Sequence, residues 1–334
     1  MARGALIAYF RLNLLSPRDV VRYTVGVVAL FLFLEITVRL YGFGLDGLNY
    51  KKMNSLYPPG TLILQGSKNH KIYTELKPNL NIYYRFNPFK TNSRGLRDKE
   101  YSLEKPAGVF RFAVLGSSPT MGEGIEAEKT FHSVLEDRLN RESKKIAYEF
   151  INFAVDGYRI SNSLEVLKKK VPLYHPDAVL FCVSNEYCWF PSRCPKEAYK
   201  EPVMKRPFFQ SHLWFLVTRK SRVQAVVSPN KKAYFGVVDS NMRELALIGK
   251  RQGIPVYVIV QAYNPYDAET IKKIANSHDL DAVTMNSGFR EKKLSAYFIS
   301  PLDPHSNAEA NEIYAKIVYD FLMNRHLLEK SHSQ

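Results

Sequence analysis

From residue 109 onward, short apolar runs alternate along the chain with segments whose apolar residues recur every three or four positions. The runs have the length of buried strands, and the segments between them have the spacing of amphipathic helices. We predict strands at residues 109–115, 148–155, 178–183, 254–260 and 280–284, and helices at residues 129–139, 161–173, 241–250, 269–276 and 309–322. Repeated strand, helix, strand units favour parallel sheets covered by helices on both faces. The pattern therefore predicts an α/β domain with a mostly parallel sheet.

A nearly continuous apolar run at residues 23–41 precedes this domain. Its length is sufficient to cross a bilayer if Arg39 snorkels, although Glu35 within it is costly in lipid. Basic residues come before the run, at Arg3, Arg11, Arg18 and Arg22. Positive charge on that side predicts a cytoplasmic N-terminus and an extracytoplasmic domain, periplasmic or at the cell surface. No clear small-x-small cleavage site follows the run, so a retained transmembrane anchor is favoured. The alternatives are a cleaved signal peptide and a buried core helix.

The rest of the chain divides by composition. We expect a cytoplasmic basic N-terminus at 1–22, the anchor at 23–41, an irregular stalk and small β-rich lead-in at 42–106, an α/β domain at 107–327 and a tail at 328–334. Aromatic and basic residues interrupt the alternation at 195–236, which predicts an insertion. This insertion is either an amphipathic helix folded over the sheet, a substrate-side lid or a surface lying on the bilayer.

Charge and cysteine usage narrow the function classes. The chain has 47 Lys and Arg against 32 Asp and Glu, a net charge of +15 that favours an anionic membrane surface or an acidic polymer. No nucleic-acid motif, phosphate loop or zinc spacing accompanies this charge, so we expect no cofactor, no metal and no nucleic-acid partner. In an exported domain, Cys188 and Cys194 are spaced to form a disulfide, and Cys182 is left on a buried strand.

Polar residues stand where the predicted strands end. Ser117 and Ser118 follow the first strand, Gly157 the second and Asn185 the third, and the loop before the last helix holds Asp303-Pro304-His305-Ser306-Asn307. Turn and cap chemistry explains each of these alone. Together they are harder to explain in that way, because the carboxyl edge of an α/β sheet is where such folds place ligands.

The combination resembles the SGNH, or GDSL-type, hydrolase family. The segment Gly116-Ser117-Ser118-Pro119-Thr120-Met121-Gly122 is similar to its GDSxTxG block with Ser in place of Asp. Residues 152–158 (NFAVDGY) resemble its glycine block, Ser184-Asn185-Glu186 its GxND block, and residues 303–307 its last block. Residues 91–98 (TNSRGLRD) are similar to a lead-in of membrane-anchored bacterial members. The resemblance implies a flavodoxin-like three-layer α/β/α sandwich, here preceded by a transmembrane helix.

The resemblance also implies a catalytic machinery. Ser118 would be the nucleophile, His305 its general base and Asp303 the group that orients His305. The backbone N–H groups of Ser118 and Gly157 and the side-chain amide of Asn185 would form the oxyanion hole. Asp303 and His305 are two residues apart, whereas many members separate them by three.

Such a site predicts a serine esterase or O-acyltransferase that acts on acyl groups, with acetyl favoured, of cell-envelope glycans or a lipid-linked saccharide. Its expected partners are an acyl-ester or saccharide substrate, the membrane and a membrane-bound acyl donor protein. Two alternatives stay open: a catalytically impaired glycan-binding or assembly protein, and a lipase or phospholipase. Ser117, Ser184 and Glu186 depart from the family pattern, and such changes could shift the substrate, slow the enzyme or mark a protein that has lost turnover. Activity is favoured because the nucleophile, the base and all three oxyanion candidates remain in place.

Overall fold

The computed structural model describes residues 16–54, 62–184, 211, 213, 231–262, 264–289, 292–301 and 303–325. Within them, five parallel strands form one sheet: β5 (Val109–Leu115), β6 (Ala147–Asn152), β7 (Ala178–Ser184), β8 (Val256–Gln261) and β9 (Asp281–Thr284). Their order is β6-β5-β7-β8-β9. This is the flavodoxin-like order, in which the switch in strand order beside β5 opens a crevice at the carboxyl edge of the sheet. The predicted α/β fold class is confirmed.

Helices cover both faces of this sheet. They are α4 (Phe131–Glu142), α5 (Ile160–Lys169), α6 (Lys231–Gln252), α7 (Pro265–Ser277) and α8 (Ala308–Asn324). The largely exposed α1 (Pro17–Phe43) and the short α2 (Tyr50–Asn54) precede the sheet in the chain, and the single-turn α3 (Ser118–Met121) follows β5. The sequence pattern placed the start of α6 ten residues too late, at residue 241. The reason is that residues 231–236 were assigned to the insertion, whereas Tyr234, Val238 and Met242 bury one helical face.

The apolar residues form a core on each side of the sheet. Alternate residues of β5 point to opposite faces, so Phe112 and Val114 pack toward α4 and α8 while Ala113 and Leu115 pack toward α5, α6 and α7. This arrangement gives the expected α/β/α sandwich. At the carboxyl end of β5, the chain must therefore turn out of the sheet toward one of the two helical layers.

The β-rich lead-in forms two antiparallel hairpins that pack on the α5 side of the core. Their strands are β1 (Leu64–Gly66) with β2 (Thr74–Leu76), and β3 (Asn81–Tyr84) with β4 (Asn87–Lys90). A third small pair, β10 (Phe298–Ser300) with β11 (Asp303–Ser306), precedes α8. The segment that carries the predicted His305 is therefore a short strand and not an irregular loop.

Within the described ranges, one helix, α1, is long and apolar enough to span a membrane. Its apolar side chains are largely exposed, and among its residues only Glu35 and Gly42 are buried. Glu35 accepts hydrogen bonds from Arg39 Nε at 2.8 Å and from Ser211 Oγ at 2.9 Å, so the costly carboxylate of this segment is paired.

Candidate active site

Ser118 is placed by a sharp turn at the end of β5. A Cβ on Gly116 would lie 2.2 Å from Thr120 Oγ1 and 3.1 Å from the Cβ of Cys182, so only glycine allows this close approach. Ser118 then begins α3, a single helical turn with Pro119 in its first turn. The turn leaves Ser118 partly exposed at the carboxyl edge of the sheet.

The β10–β11 pair brings His305 and Asp303 to the same edge. His305 Nε2 lies 3.1 Å from Ser118 Oγ, and His305 Nδ1 lies 2.6 Å from Asp303 Oδ1. Asp303 Oδ1 also accepts the backbone N–H of His305 at 3.0 Å. Two hydrogen bonds to one carboxylate oxygen fix the imidazole with Nε2 directed at the serine, which is the geometry of a serine activated by a base. The spacing of two residues therefore accommodates the Asp-to-His contact.

The environment of this pair favours its charged forms. Burial acts to lower the pKa of His305, but the hydrogen bond to Asp303 and the negative charge of Glu123 outweigh it, so the pKa is raised above its usual 6.5. Burial acts to raise the pKa of Asp303, but the hydrogen bond and the charge of His305 lower it below 3.8. Asp303 is therefore ionised at neutral pH and stabilises an imidazolium.

Glu123 is a second carboxylate at this site, and the sequence motifs did not single it out. Its side chain is 1% exposed, and Oε2 lies 3.3 Å from His305 Nε2. Burial, followed by the charge of Asp156, raises the pKa of Glu123 to about 7. The imidazole nitrogen that faces Ser118 thus also faces a carboxyl group that titrates near neutral pH.

Arg85 is the other group that sequence reasoning missed. Its Nε pairs with Glu123 Oε1, and its Nη1 lies 3.6 Å from Asp303 Oδ2. Arg85 and Phe86 form the two-residue turn between β3 and β4, and both have positive φ, 45° and 70°. The alternating residues 81–85 gave a signal for a strand, but nothing in it indicated that the following turn reaches a site built 38 residues further along the chain.

The predicted oxyanion donors are described only in part. Gly157 is exposed, with φ at 76°, and its backbone N–H donates no hydrogen bond to another residue in the described part of the chain. The same holds for the backbone N–H of Ser118. Asn185 lies outside the described residues. Ser117 contacts Ser184, with a distance of 2.7 Å between their hydroxyl oxygens.

The lead-in motif at residues 91–98 supports the loop that follows the serine. Arg97, which is 3% exposed, donates to the carbonyls of Met121, Gly122 and Ile125. Asp98 Oδ2 accepts the backbone N–H of Asn152, at the end of β6, at 2.9 Å. The motif therefore joins the serine loop to the neighbouring strand end.

The remaining predictions concern a disulfide and a metal site. Cys182 is buried and free, and Cys188 and Cys194 lie outside the described residues, so their pairing stays a prediction. Among the side chains that the structure describes, no group of three or more His, Cys, Asp and Glu could hold a metal ion.

The structure thus places a serine just after β5, facing a histidine just before α8, at the carboxyl edge of a five-stranded parallel sheet. Solved structures similar to it include the psychrotrophic esterase EstA from Pseudoalteromonas sp., with 13% identity and a TM-score of 0.42 over 64% of this chain and 97% of that one. A variant of Axe2, an acetyl xylan esterase from Geobacillus stearothermophilus, has 14% identity and a TM-score of 0.43 over 64% and 94% of the two chains.

The acetyl xylan esterase AlAXEase has 15% identity and a TM-score of 0.41 over 63% of this chain and 98% of its own. No protein-family model matches the sequence, and no curated protein matches it either. These likenesses concern the fold. The roles proposed below for individual residues depend on their geometry in this chain.

Proposed function

We propose that the protein is a membrane-anchored, extracytoplasmic serine esterase or O-acyltransferase that acts on acyl esters, with acetyl favoured, of cell-envelope glycans. The observation that carries the proposal is the chain of contacts from Ser118 Oγ through His305 to Asp303, at 3.1 and 2.6 Å. A serine hydroxyl is a weak nucleophile until a positioned base takes its proton. These contacts supply the base and the group that orients it.

In the first half of the reaction, Ser118 Oγ attacks the carbonyl carbon of the acyl ester while its proton moves to His305 Nε2. The tetrahedral intermediate then expels the sugar oxygen, which takes the proton from His305 and leaves as an alcohol. Ser118 remains acylated. In the second half, water or another sugar hydroxyl gives its proton to His305 and attacks the acyl carbon. Ser118 Oγ recovers that proton, and the product is a free acid or a new ester.

The oxyanion of the intermediate would be held by donors at the sheet edge. The backbone N–H groups of Ser118 and Gly157 are both without partners among the described residues, which makes them available. Asn185 would supply a third donor. Loss of one such donor typically lowers the rate by about a hundredfold to a thousandfold.

Two features support the location and the substrate class. The helix α1 is long and apolar enough to span a membrane, and basic residues precede its apolar run, which favours a cytoplasmic N-terminus and an exported domain. The net charge of +15 favours acidic polymers and anionic surfaces, both of which occur in cell envelopes. A membrane-bound acyl donor protein is the partner that acyl transfer would require.

The direct test compares Ser118→Ala with Ser117→Ala in the hydrolysis of p-nitrophenyl acetate by the purified full chain. Ser118→Ala removes the nucleophile, so we expect a loss of at least about a thousandfold in kcat. Ser117→Ala removes only the neighbouring hydroxyl and serves as the matched control, which should keep most of the activity. Equal activity in wild type and Ser118→Ala contradicts the proposal.

One observation favours the alternative, a glycan-binding protein that uses the same cleft without turnover. Glu123 Oε2 lies 3.3 Å from the nitrogen of His305 that must accept the serine proton, so a proton shared between Glu123 and His305 would occupy the base. In that case wild type hydrolyses none of several acyl esters. It would still bind acetylated envelope glycans, which isothermal titration calorimetry would detect.

A further inference from the structure

We propose that the Ser118 site opens at the membrane surface and that its acyl ester or acceptor sugar is carried on a membrane lipid. The inference rests on the proposed function, because it names the substrate class of the same site. It is carried by the way the β3–β4 turn joins this site to the end of α1.

The two residues of the turn reach in different directions. Arg85 pairs with Glu123 and lies 3.6 Å from Asp303, so it is part of the charge network around His305. Phe86, the next residue, stacks on Phe43, the last residue of α1, with ring centroids 4.9 Å apart and an interplanar angle of 28°. Adjacent α-carbons are about 3.8 Å apart. The end of the apolar helix and the site are therefore separated by little more than two side chains.

The backbone of the turn is strained. Arg85 and Phe86 both have positive φ, a conformation that two-residue hairpin turns usually give to Asn and Gly. Bulky residues in this region cost free energy and cluster at functional sites. A turn built only to reverse the chain would be more stable with Asn-Gly. The strain is explained if both side chains are needed, one at the site and one at the helix.

A second contact ties the chain to α1 nearer its middle. Glu35 Oε2 accepts the hydroxyl of Ser211 at 2.9 Å and the backbone N–H of Leu213 at 3.0 Å. Glu35 precedes Phe43 by eight residues, or about 12 Å of helix at 1.5 Å per residue. Residues 211 and 213 therefore meet the apolar helix at a depth where a spanning helix is in lipid.

Exposed apolar side chains continue beyond the helix. Leu45 is 82% exposed, Leu48 is 54% exposed and Tyr50 is 77% exposed. These residues follow directly on α1, whose own apolar surface is exposed along its length. Because the patch is continuous with the helix, we assign it the same occupant, the bilayer, with Tyr50 at the headgroup level where tyrosine is enriched.

Photo-crosslinking tests the placement without depending on activity. p-Benzoylphenylalanine replaces Tyr83, which is exposed on the hairpin beside the site, in the full chain reconstituted in phosphatidylcholine vesicles. The control position is Leu173, which is 54% exposed against 48% for Tyr83 but precedes β7 and so lies at the opposite edge of the sheet. We expect a lipid adduct at position 83 and none at 173. Absence of an adduct at 83, or equal adducts at both positions, overturns the proposal.

A pair of acetyl esters tests the substrate class. One is p-nitrophenyl acetate, and the other is an acetylated umbelliferone tethered to a phosphatidylethanolamine headgroup in the same vesicles. We expect wild type to favour the tethered ester by at least about tenfold because confinement at the surface raises its effective concentration. Phe86→Ala should lose most of this preference while retaining its rate on p-nitrophenyl acetate, and Leu173→Ala should change neither.

These experiments distinguish failure of the membrane-carried substrate from failure of the proposed esterase function. Equal rates on both esters in wild type, or an equal loss on both in Phe86→Ala, contradict a membrane-carried substrate and leave the esterase intact. Hydrolysis of neither ester contradicts the proposed function. In that event, the crosslinking result still decides whether the cleft faces the membrane.

Discussion

At the scale of single residues, the unusual feature of the site is the crowding of charge around one imidazole. His305 contacts Asp303 through Nδ1 and lies 3.3 Å from Glu123 through Nε2, while Arg85 pairs with both carboxylates. Two negative groups beside an imidazole favour its protonated form. His305 is therefore a stronger base than an isolated histidine, and it is mostly neutral only when the pH exceeds its raised pKa.

The pH dependence of the reaction tests the role of Glu123. The proposed mechanism needs neutral His305, so we expect activity to fall as the pH drops through the His305 pKa, which is raised above 6.5. Glu123→Gln keeps the shape and removes the charge, so the His305 pKa decreases. We expect the acidic limb of kcat/KM to move to lower pH and to fit a single ionisation, because the coupled Glu123 carboxyl no longer titrates. The measurement is the pH profile of ester hydrolysis.

Glu128→Gln is the matched control for this experiment, because Glu128 is an exposed carboxylate a few residues further along the same segment. Its acidic limb should coincide with that of wild type. A Glu123→Gln profile that is unshifted, or shifted to higher pH, contradicts the proposed influence of Glu123 on His305.

At the scale of secondary-structure elements, the lead-in is part of the site and not a passive stalk. The β3–β4 turn supplies Arg85, and the motif that follows supplies Arg97 and Asp98, which hold the serine loop and the end of β6. The Phe89 ring lies under the Arg97 guanidinium at 4.8 Å. The turn that carries Ser118 is thus supported from outside the sheet.

Arg97→Ala tests this support. The change leaves the carbonyls of Met121 and Ile125, among others, without their donor in a buried place, so we expect the free energy of unfolding to fall by about 3 kcal/mol and esterase activity to fall with it. Urea denaturation of the full chain in detergent measures the first effect. Arg94→Ala, in the same motif but exposed, should change stability by less than about 0.5 kcal/mol. Equal stability of both variants contradicts the structural role of Arg97.

The sequence predicted elements better than it predicted contacts between them. The strands β5, β7 and β9 begin within one residue of their predicted positions, because buried parallel strands are short apolar runs with clear ends. The start of α6 was misplaced because aromatic and basic residues concealed its helical face. Motif spacing indicated Ser118 and His305, whereas Glu123 and Arg85 meet only through the turn geometry of Arg85, which no local pattern of residue types reveals.

At the scale of the whole molecule, the apolar helix, the lead-in and the sheet form a connected arrangement. Phe43 at the end of α1 stacks on the β3–β4 turn, and Glu35 within α1 pairs with Arg39 and Ser211. If α1 spans the membrane with its N-terminus in the cytoplasm, the lead-in and the sheet lie together on the opposite side. The orientation of the chain therefore decides which compartment supplies the substrate.

Reporter fusions test this orientation. Alkaline phosphatase folds only outside the cytoplasm, so a fusion that carries it after Arg325 should be active. Green fluorescent protein stays dark when the general export route carries it across the membrane, so its fusion at the same position should not fluoresce. The basic residues before the apolar run are the physical reason for this expectation. If the green fluorescent protein fusion is fluorescent and the phosphatase fusion is inactive, the topology is the reverse of the expected one, which contradicts export of the domain.

The central claim is that Ser118 is a nucleophile activated by His305, and covalent labelling tests it most directly. The full chain is treated with a fluorophosphonate, digested and mapped by mass spectrometry, with His305→Ala and Ser117→Ala treated in parallel. The account predicts one adduct on Ser118, retained in Ser117→Ala and reduced by at least about a hundredfold in His305→Ala, since the hydroxyl then lacks its base. An adduct absent from Ser118 in wild type, or unchanged by His305→Ala, contradicts it.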